Sequence, residues 1–340
     1  MPIVKLSALR AFVTTSLRAC GLSPENADIV TDTVLRASLR GVGHHDIYDF
    51  GGRLTGLRAG KFAANPVYEK LAAFGGMESW DGGNGLGELT CSFAMERAMA
   101  LADVHGMGFC AIRHSNHYLA AAPYVERAAE RGYIALLLCK GPPTMGAPDR
   151  TDKPVGALPM GFAFPTDHGY PVMLDVCMAY ASFGLLKEKM DRNQSVPAHW
   201  GYDEDGAPTT DPARMAKGTR LPIGGHKGFG LSVLGEVLTG LLSHGCIIDE
   251  EDTVNGQPSP TSHTAIALKA DALLPLAQFN ARTGEMLDRM EQRAPGLHIP
   301  GQGSFAKRQA MEAADGIDLS EALLAQLNAQ AEKLGIPPLG

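Results

Sequence analysis

Residues 109–139 read FCAIRHSNHYLAAAPYVERAAERGYIALLLC, and this stretch decides the fold. FCAIR (109–113) and YIALLLC (133–139) are short apolar runs of the kind that form buried strands. HSNHYLAAAP between them reads as a loop, and 124–131 as a helix stopped by Gly132. A strand, loop, helix and strand in that order predict a layered α/β core.

The same pattern extends outward. Ser23-Pro24 opens a helix, because Ser caps and Pro fits a first turn. Ala27, Val30, Val34 and Ala37 then recur at helical spacing up to Gly41. GVGHHDIYDF (41–50) reads as a loop. Further helices are expected from Thr90 to about Ala102, from Met178 to Lys189 and from Leu319 to Leu334. YPVMLDV, ending near Asp175, and TAIALKADAL read as strands, and WGYDEDGAPTTDP as a solvent-facing turn region. LPIGGHKGFGLSVLGEVLTGLLSHG reads as a glycine-rich loop feeding a long apolar helix.

Composition narrows the function. A net charge of -7 with no run of Lys or Arg argues against a nucleic-acid partner. No uncharged apolar stretch reaches 18 residues, and the first residues lack a signal-peptide core, so a cytoplasmic protein without a membrane partner is expected. The six Cys are widely spaced without a C-x-x-C, which predicts reduced core thiols. Glycine makes up 40 of 340 residues. That many mark either tight turns or backbone brought close to a ligand.

Two glycine runs separate these readings. Gly82-Gly83-Asn84-Gly85-Leu86-Gly87 has its third glycine one residue too early for a dinucleotide fingerprint, so a turn is preferred. Gly224-Gly225-His226-Lys227-Gly228-Phe229-Gly230 opens a helix and carries a Lys, a combination suited to an anion. Two histidine clusters, His44-His45-Asp46 with Asp49 and His114-x-x-His117, suit proton transfer near neutrality. A metal site needs three or four ligands and H-E-x-x-H is absent, so a zinc site drawn from both clusters is only the lesser alternative.

Together these motifs resemble the second-type malate/L-lactate dehydrogenase family, which includes diketogulonate, ureidoglycolate and sulfolactate oxidoreductases and piperideine/pyrroline-2-carboxylate reductase. The matching segments run nearly end to end: ASLRGVGHHDIYDF, RHSNHYLAAAPYVERAAERGYIAL, LDVCMAYASFGLL, DEDGAPTTDP, LPIGGHKGFGL and IPGQGSFAKR. The resemblance implies an α/β fold of the family's own, non-Rossmann kind, with a mixed sheet and discontinuous domains. It implies a helical part at 1–75, an α/β core at 76–300 and a C-terminal helical segment at 301–340 packing back. It also implies a homodimer, a cleft site, and NAD or NADP as cofactor. The expected cofactor contacts are His117, Tyr118, Leu119, Ala120, Ala121, Asp175, Val176, Cys177, His226, Lys227, Pro300, Gly301, Gln302 and Gly303. A helix N-terminus would take the pyrophosphate and Asp175 the hydroxyls.

The family's Ser-His-Gly-x-x-Arg motif is altered here. His45 matches its His, the expected proton donor to a carbonyl or imine. His44 replaces Ser, Asp46 replaces Gly, and Asp49 replaces the Arg that clamps a substrate carboxylate. Ala157 stands where relatives keep a polar residue, and Leu185 where imine-reducing members keep an Asp. The resulting expectation is an NAD(P)-dependent oxidoreductase interconverting a carbonyl and a secondary alcohol. Its acid/base is His45, with His44 and Asp49 as partners. The alternatives are a cyclic imino acid reductase, anchored by Arg53, Lys140 or Arg150, and an inactive dinucleotide-binding homologue. Lys187, Lys189 and Arg192 are candidates for a 2′-phosphate.

Overall fold

A computed structural model describes residues 2–340. Its centre is a seven-stranded sheet of β1 (Glu69–Phe74), β2 (Met77–Asp81), β3 (Met107–Ser115), β4 (Tyr133–Lys140), β5 (Met160–Phe164), β6 (Val172–Val176) and β7 (Thr261–Lys269). The spatial order is β1-β2-β3-β7-β4-β5-β6. Only β2 and β3 run parallel, so the sheet is mixed, as expected of a non-Rossmann α/β chain. The two strands of the opening stretch do not pair with each other. β7 lies between them, with Ala265 opposite Cys110 on one side and Leu137 on the other.

The helices are α1 (Leu6–Ala19), α2 (Pro24–Arg40), α3 (Ile47–Arg58), α4 (Gly87–His105), α5 (Ala122–Glu130), α6 (Phe183–Asp191), α7 (Pro212–Lys217), α8 (His226–Gly235), α9 (Leu276–Arg293), α10 (Gln302–Ala313) and α11 (Glu321–Leu334). α4 and α5 cover one sheet face through small residues: Ala94, Ala98 and Ala102 pack with Cys110, Ala265 and Ala267. The approach is so close that a Cβ at Gly108 would overlap the Ala98 carbonyl. α8 continues as a wider π-turn over Glu236–Leu241 against the other face, where Thr264 donates to the Leu238 carbonyl at 2.8 Å. A second core joins α1, α2, α3 and α11 through Leu9, Val13, Val34, Phe50, Leu54 and Leu327. Leu86, Leu89 and Leu119 reach into it from the sheet side. All six Cys are free thiols, four of them buried.

Several elements depart from the sequence expectation. The GVGHHDIYDF segment is a loop only as far as Asp46, whose side chain caps α3. α6 begins at Phe183 rather than Met178. Ser182 caps it, while Met178 is buried with its carbonyl bonded to Ile223 N–H at 2.8 Å. The WGYDEDGAPTTDP region is not wholly solvent-facing, since Asp203 and Thr209 are buried. Asp203 accepts the Asp205 and Ala207 N–H groups within its own turn.

Candidate active site

Asp46 fixes the start of α3. Its carboxylate accepts the Gly43 N–H at 2.9 Å and the Tyr48 N–H at 3.0 Å, closing the loop into a helix cap. Burial pushes this carboxyl up to about 6, and the two N–H donors oppose that rise. The cap holds His45 at the head of the helix, its ring centroid 4.3 Å from His44 and 4.9 Å from His117. Burial pushes His45 down to about 4, helped by His44 and Arg53. Its Nδ1 is buried without a partner.

His44 packs on the first turn of α6. A Cβ at Gly184 would overlap its ring, and its Nε2 lies 3.4 Å from the Ser182 hydroxyl. Burial lowers its pKa, with Glu188 pulling the other way. Asp49 stands one turn into α3 with its side chain 46% exposed, and its carboxylate is 3.8 Å from Arg53 Nη2. It neither contacts His44 nor His45 by hydrogen bond. Arg53 is buried. Its Nε lies 2.9 Å from Glu88, and its Nη2 donates to the His117 carbonyl at 2.8 Å and to His117 Nδ1 at 3.0 Å. Of the three candidate anchors, only Arg53 is therefore in this cluster. Lys140 donates to the Ile248 carbonyl, and Arg150 pairs with Asp152 on the surface.

The four segments expected to hold cofactor come together around β6. Asp175 Oδ2 accepts the Ala122 N–H at 2.9 Å. The Pro300 carbonyl accepts from Met173 at 3.1 Å. Gly228 sits so close to Met178 and Ile223 that a Cβ there would press on both carbonyls. His226 and Lys227 are exposed at the start of α8, beside Gly224 and Gly225 in left-handed conformations (φ 60° and 61°). Gly301, at φ 91°, caps α10. In detail the assignment shifts. Tyr118, Leu119, Ala120 and Ala121 have buried side chains, so only their backbone edge can face a ligand. Asp175 is engaged in capping α5, which removes that N-terminus as a free anion cradle. Crowding by protein pushes its carboxyl up to about 6 against those N–H donors. The residue is nonetheless solvent-exposed, which opposes that rise.

The residues fit a dinucleotide phosphate best at α8. A Cβ at Gly225 or Gly230 would meet only open space, and Lys227 has no ion-pair partner among the described residues. The Gly82–Gly87 run serves protein backbone instead. A Cβ at Gly87 would overlap the Asn116 and His117 carbonyls, and Asn116 donates to Asn84 and Gly85. Sequence reading missed Glu88, Ser182 and Gly184 as parts of this site. A single buried acid on a helix leaves no local pattern, and the other two matter only through contacts with residues about 140 positions away. Among the described residues no cluster of three or more His, Cys, Asp or Glu could hold a metal, and no helix is long and apolar enough to cross a membrane.

Comparison with known proteins places the chain among relatives. A family model described as malate/L-lactate dehydrogenase matches residues 4–328. The chain is 28% identical to 2,3-diketo-L-gulonate reductase of Klebsiella pneumoniae over 96% of its own length and 99% of the relative's. It is similar in structure to sulfolactate dehydrogenase of Methanocaldococcus jannaschii, with TM-score 0.88, 27% identity and 98% of each chain covered. It is also similar to delta1-piperideine-2-carboxylate reductase of Pseudomonas syringae, with TM-score 0.87, 27% identity and 97% and 100% coverage. The chain therefore belongs to the malate/L-lactate dehydrogenase family, and it is a pyridine-nucleotide-dependent oxidoreductase that interconverts a carbonyl and an alcohol.

Proposed function

We propose that His45 is the acid/base of this enzyme, acting on a small substrate related to the 2-hydroxy acids. The observation that carries the proposal is the His45 ring, held neutral between His44 and His117 at the meeting point of α3, α6 and the cofactor segments. In the oxidative direction its free ring nitrogen takes the hydroxyl proton. A bound pyridine nucleotide would supply the acceptor for the hydride that leaves the carbinol carbon. Lys227, His226 and the Gly301 turn would hold its phosphates and ribose. The cleft would then lie between the helical part (about 1–75 with 301–340) and the α/β core.

Charge near His45 points to the substrate. Asp46, Asp49 and Glu88 outnumber Arg53, and Asp49 is the most solvent-open of them. A carboxylate placed beside Asp49 is repelled, whereas a hydroxyl or an amine is accepted. A panel of 2-oxo acids, polyhydroxylated ketones, amino ketones and cyclic imines, followed by reduced-cofactor absorbance, tests this. Carboxylate-free or amine-bearing substrates should give the highest kcat/KM, and pyruvate or oxaloacetate giving it would refute the charge argument. Both cofactors are proposed to work. Lys187, Lys189 and Arg192 make only local surface contacts, with Asp191, Gln194 and Glu188, and such pairs are weak enough to turn toward a 2′-phosphate. The unpaired thiols favour a cytoplasmic enzyme. The exposed apolar face of α8 favours a homodimer.

A further inference from the structure

We infer that Arg53 is a positioning residue of this active site: it fixes His117 in the form protonated at Nε2 and leaves that N–H free for the cleft beside His45. The argument starts from donors and acceptors. A guanidinium only donates, so the 3.0 Å contact between Arg53 Nη2 and His117 Nδ1 requires Nδ1 to accept. A second donor, the Leu119 N–H, points at the same nitrogen from 3.2 Å. With two donors on Nδ1, the proton of the neutral ring sits on Nε2. That atom has no partner among the described residues, and His117 is open to the cleft.

Both donors are held in place. Leu119 has φ 66°, a left-handed conformation that costs a leucine about 1–2 kcal/mol. It directs the Leu119 N–H back to the ring. Arg53 cannot swing aside. Its Nε faces the fully buried Glu88 at 2.9 Å, its Nη2 also holds the His117 carbonyl at 2.8 Å, and Asp49 lies 3.8 Å away. The charged or titratable groups facing His117 are Arg53 from α3, His44 and His45 from the loop before it, and His263 from β7. Each opposes a second proton on the ring, and no carboxylate touches it. His117 is thus a neutral hydrogen-bond donor next to the residue that exchanges the substrate proton. A neutral donor suits a substrate oxygen whose charge grows during oxidation. His117, expected to serve the cofactor, is placed here beside the reacting oxygen.

This inference rests on His45 as the acid/base, so the test separates the two. Protein labelled with nitrogen-15 histidine reports each ring's tautomer and titration without any substrate, and His117→Asn identifies the His117 signals. The unsubstituted protein at pH 7 is expected to show Nε2 protonated and Nδ1 bare at His117. Arg53→Met with Glu88→Gln removes both buried charges together. It should mix the tautomers and raise the His45 and His117 midpoints by about one pH unit or more. Arg53→Lys, which keeps the charge but not the fork, should mix the tautomers and leave the midpoints low; it also serves if the double variant fails to fold. A proton on His117 Nδ1 in the unsubstituted protein, or an unchanged tautomer in the Arg53 variants, overturns the inference. Full turnover in His45→Ala overturns the acid/base reading instead, and leaves the tautomer result standing.

Discussion

His45 is neutral in the folded protein until the pH approaches about 4, because burial and the His44 and Arg53 charges oppose its protonation. With His45 as the proposed acid/base, alcohol oxidation needs the neutral ring as a base. Its kcat/KM should therefore stay level from pH 8 to about 5 and fall as the pH passes through about 4. Carbonyl reduction needs the protonated ring and should rise over the same range; parallel profiles in the two directions check both signs. His45→Ala should lose about 10²–10⁴ in turnover with cofactor affinity unchanged by titration. The same shift has a stability consequence. His45 and the fully buried His263 both titrate near 4 when folded, against about 6.5 when unfolded. Between those values the unfolded chain binds more protons. Stability is therefore full above pH 6.5 and declines as pH falls toward 4, by on the order of 3 kcal/mol at most for His263. Thermal unfolding followed from pH 7.5 to 4.5 should show a steadily falling Tm, and a level Tm would contradict the burial of these rings.

The first turn of α6 is built around His44, and Gly184 is the reason the two fit. Gly184→Ala would drive a methyl into the ring. The expected result is a rise of about tenfold in substrate KM, since the ring next to His45 must move, with little change in cofactor affinity. His44→Ala in the same chain removes the clash and should restore part of the loss, a non-additivity that a double-mutant cycle measures. Additive effects would mean that the ring and the helix are not coupled. Elements such as α2 were open to sequence reading because their signals are local: Ser23 accepts the Asn26 N–H at 3.2 Å, Pro24 follows, and Gly41 ends the helix at φ 67°. α3 and α10 were not, since Gly51-Gly52 and Gly301-Gln302-Gly303 argue against helix on propensity alone. Tertiary contacts decide both. A Cβ at Gly56 would overlap Phe62, and one at Gly301 would press on Met173 N at 2.9 Å, so these glycines allow close approach.

Across the whole molecule the legible part was the kind of the central strands β3, β4, β6 and β7, and the illegible part was which strand neighbours which, with β1 and β2 not read at all. β7 enters between β3 and β4 from more than 120 residues downstream, a pairing no local pattern encodes. The cluster has the same character: His45, Arg53, Glu88, His117 and, through His44, Gly184 are each visible as residues, but only the fold joins them. Arg53 was seen as a possible anchor, and its partner Glu88 was not, because a buried acid is recognised only by what it faces. One feature of the long apolar helix reaches beyond the single chain. Leu231, Val233, Leu234, Val237, Leu241 and Leu242 are all 40–54% exposed along α8 and its continuation. A contiguous apolar stripe of this kind on a charged protein marks an association surface. A second copy of the chain is its proposed occupant. Covering one leucine contributes roughly 1.5–3 kcal/mol, and a lasting dimer buries about 800 Å² on each partner. Because a two-fold interface uses each patch twice, Leu231→Glu with Leu234→Glu would place four carboxylates in it. Mass by light scattering should show a dimer for the unsubstituted protein and a monomer of about half that mass for the variant, with far-ultraviolet circular dichroism unchanged. A monomeric unsubstituted protein would refute the homodimer, and a variant that stays dimeric would move the interface off α8.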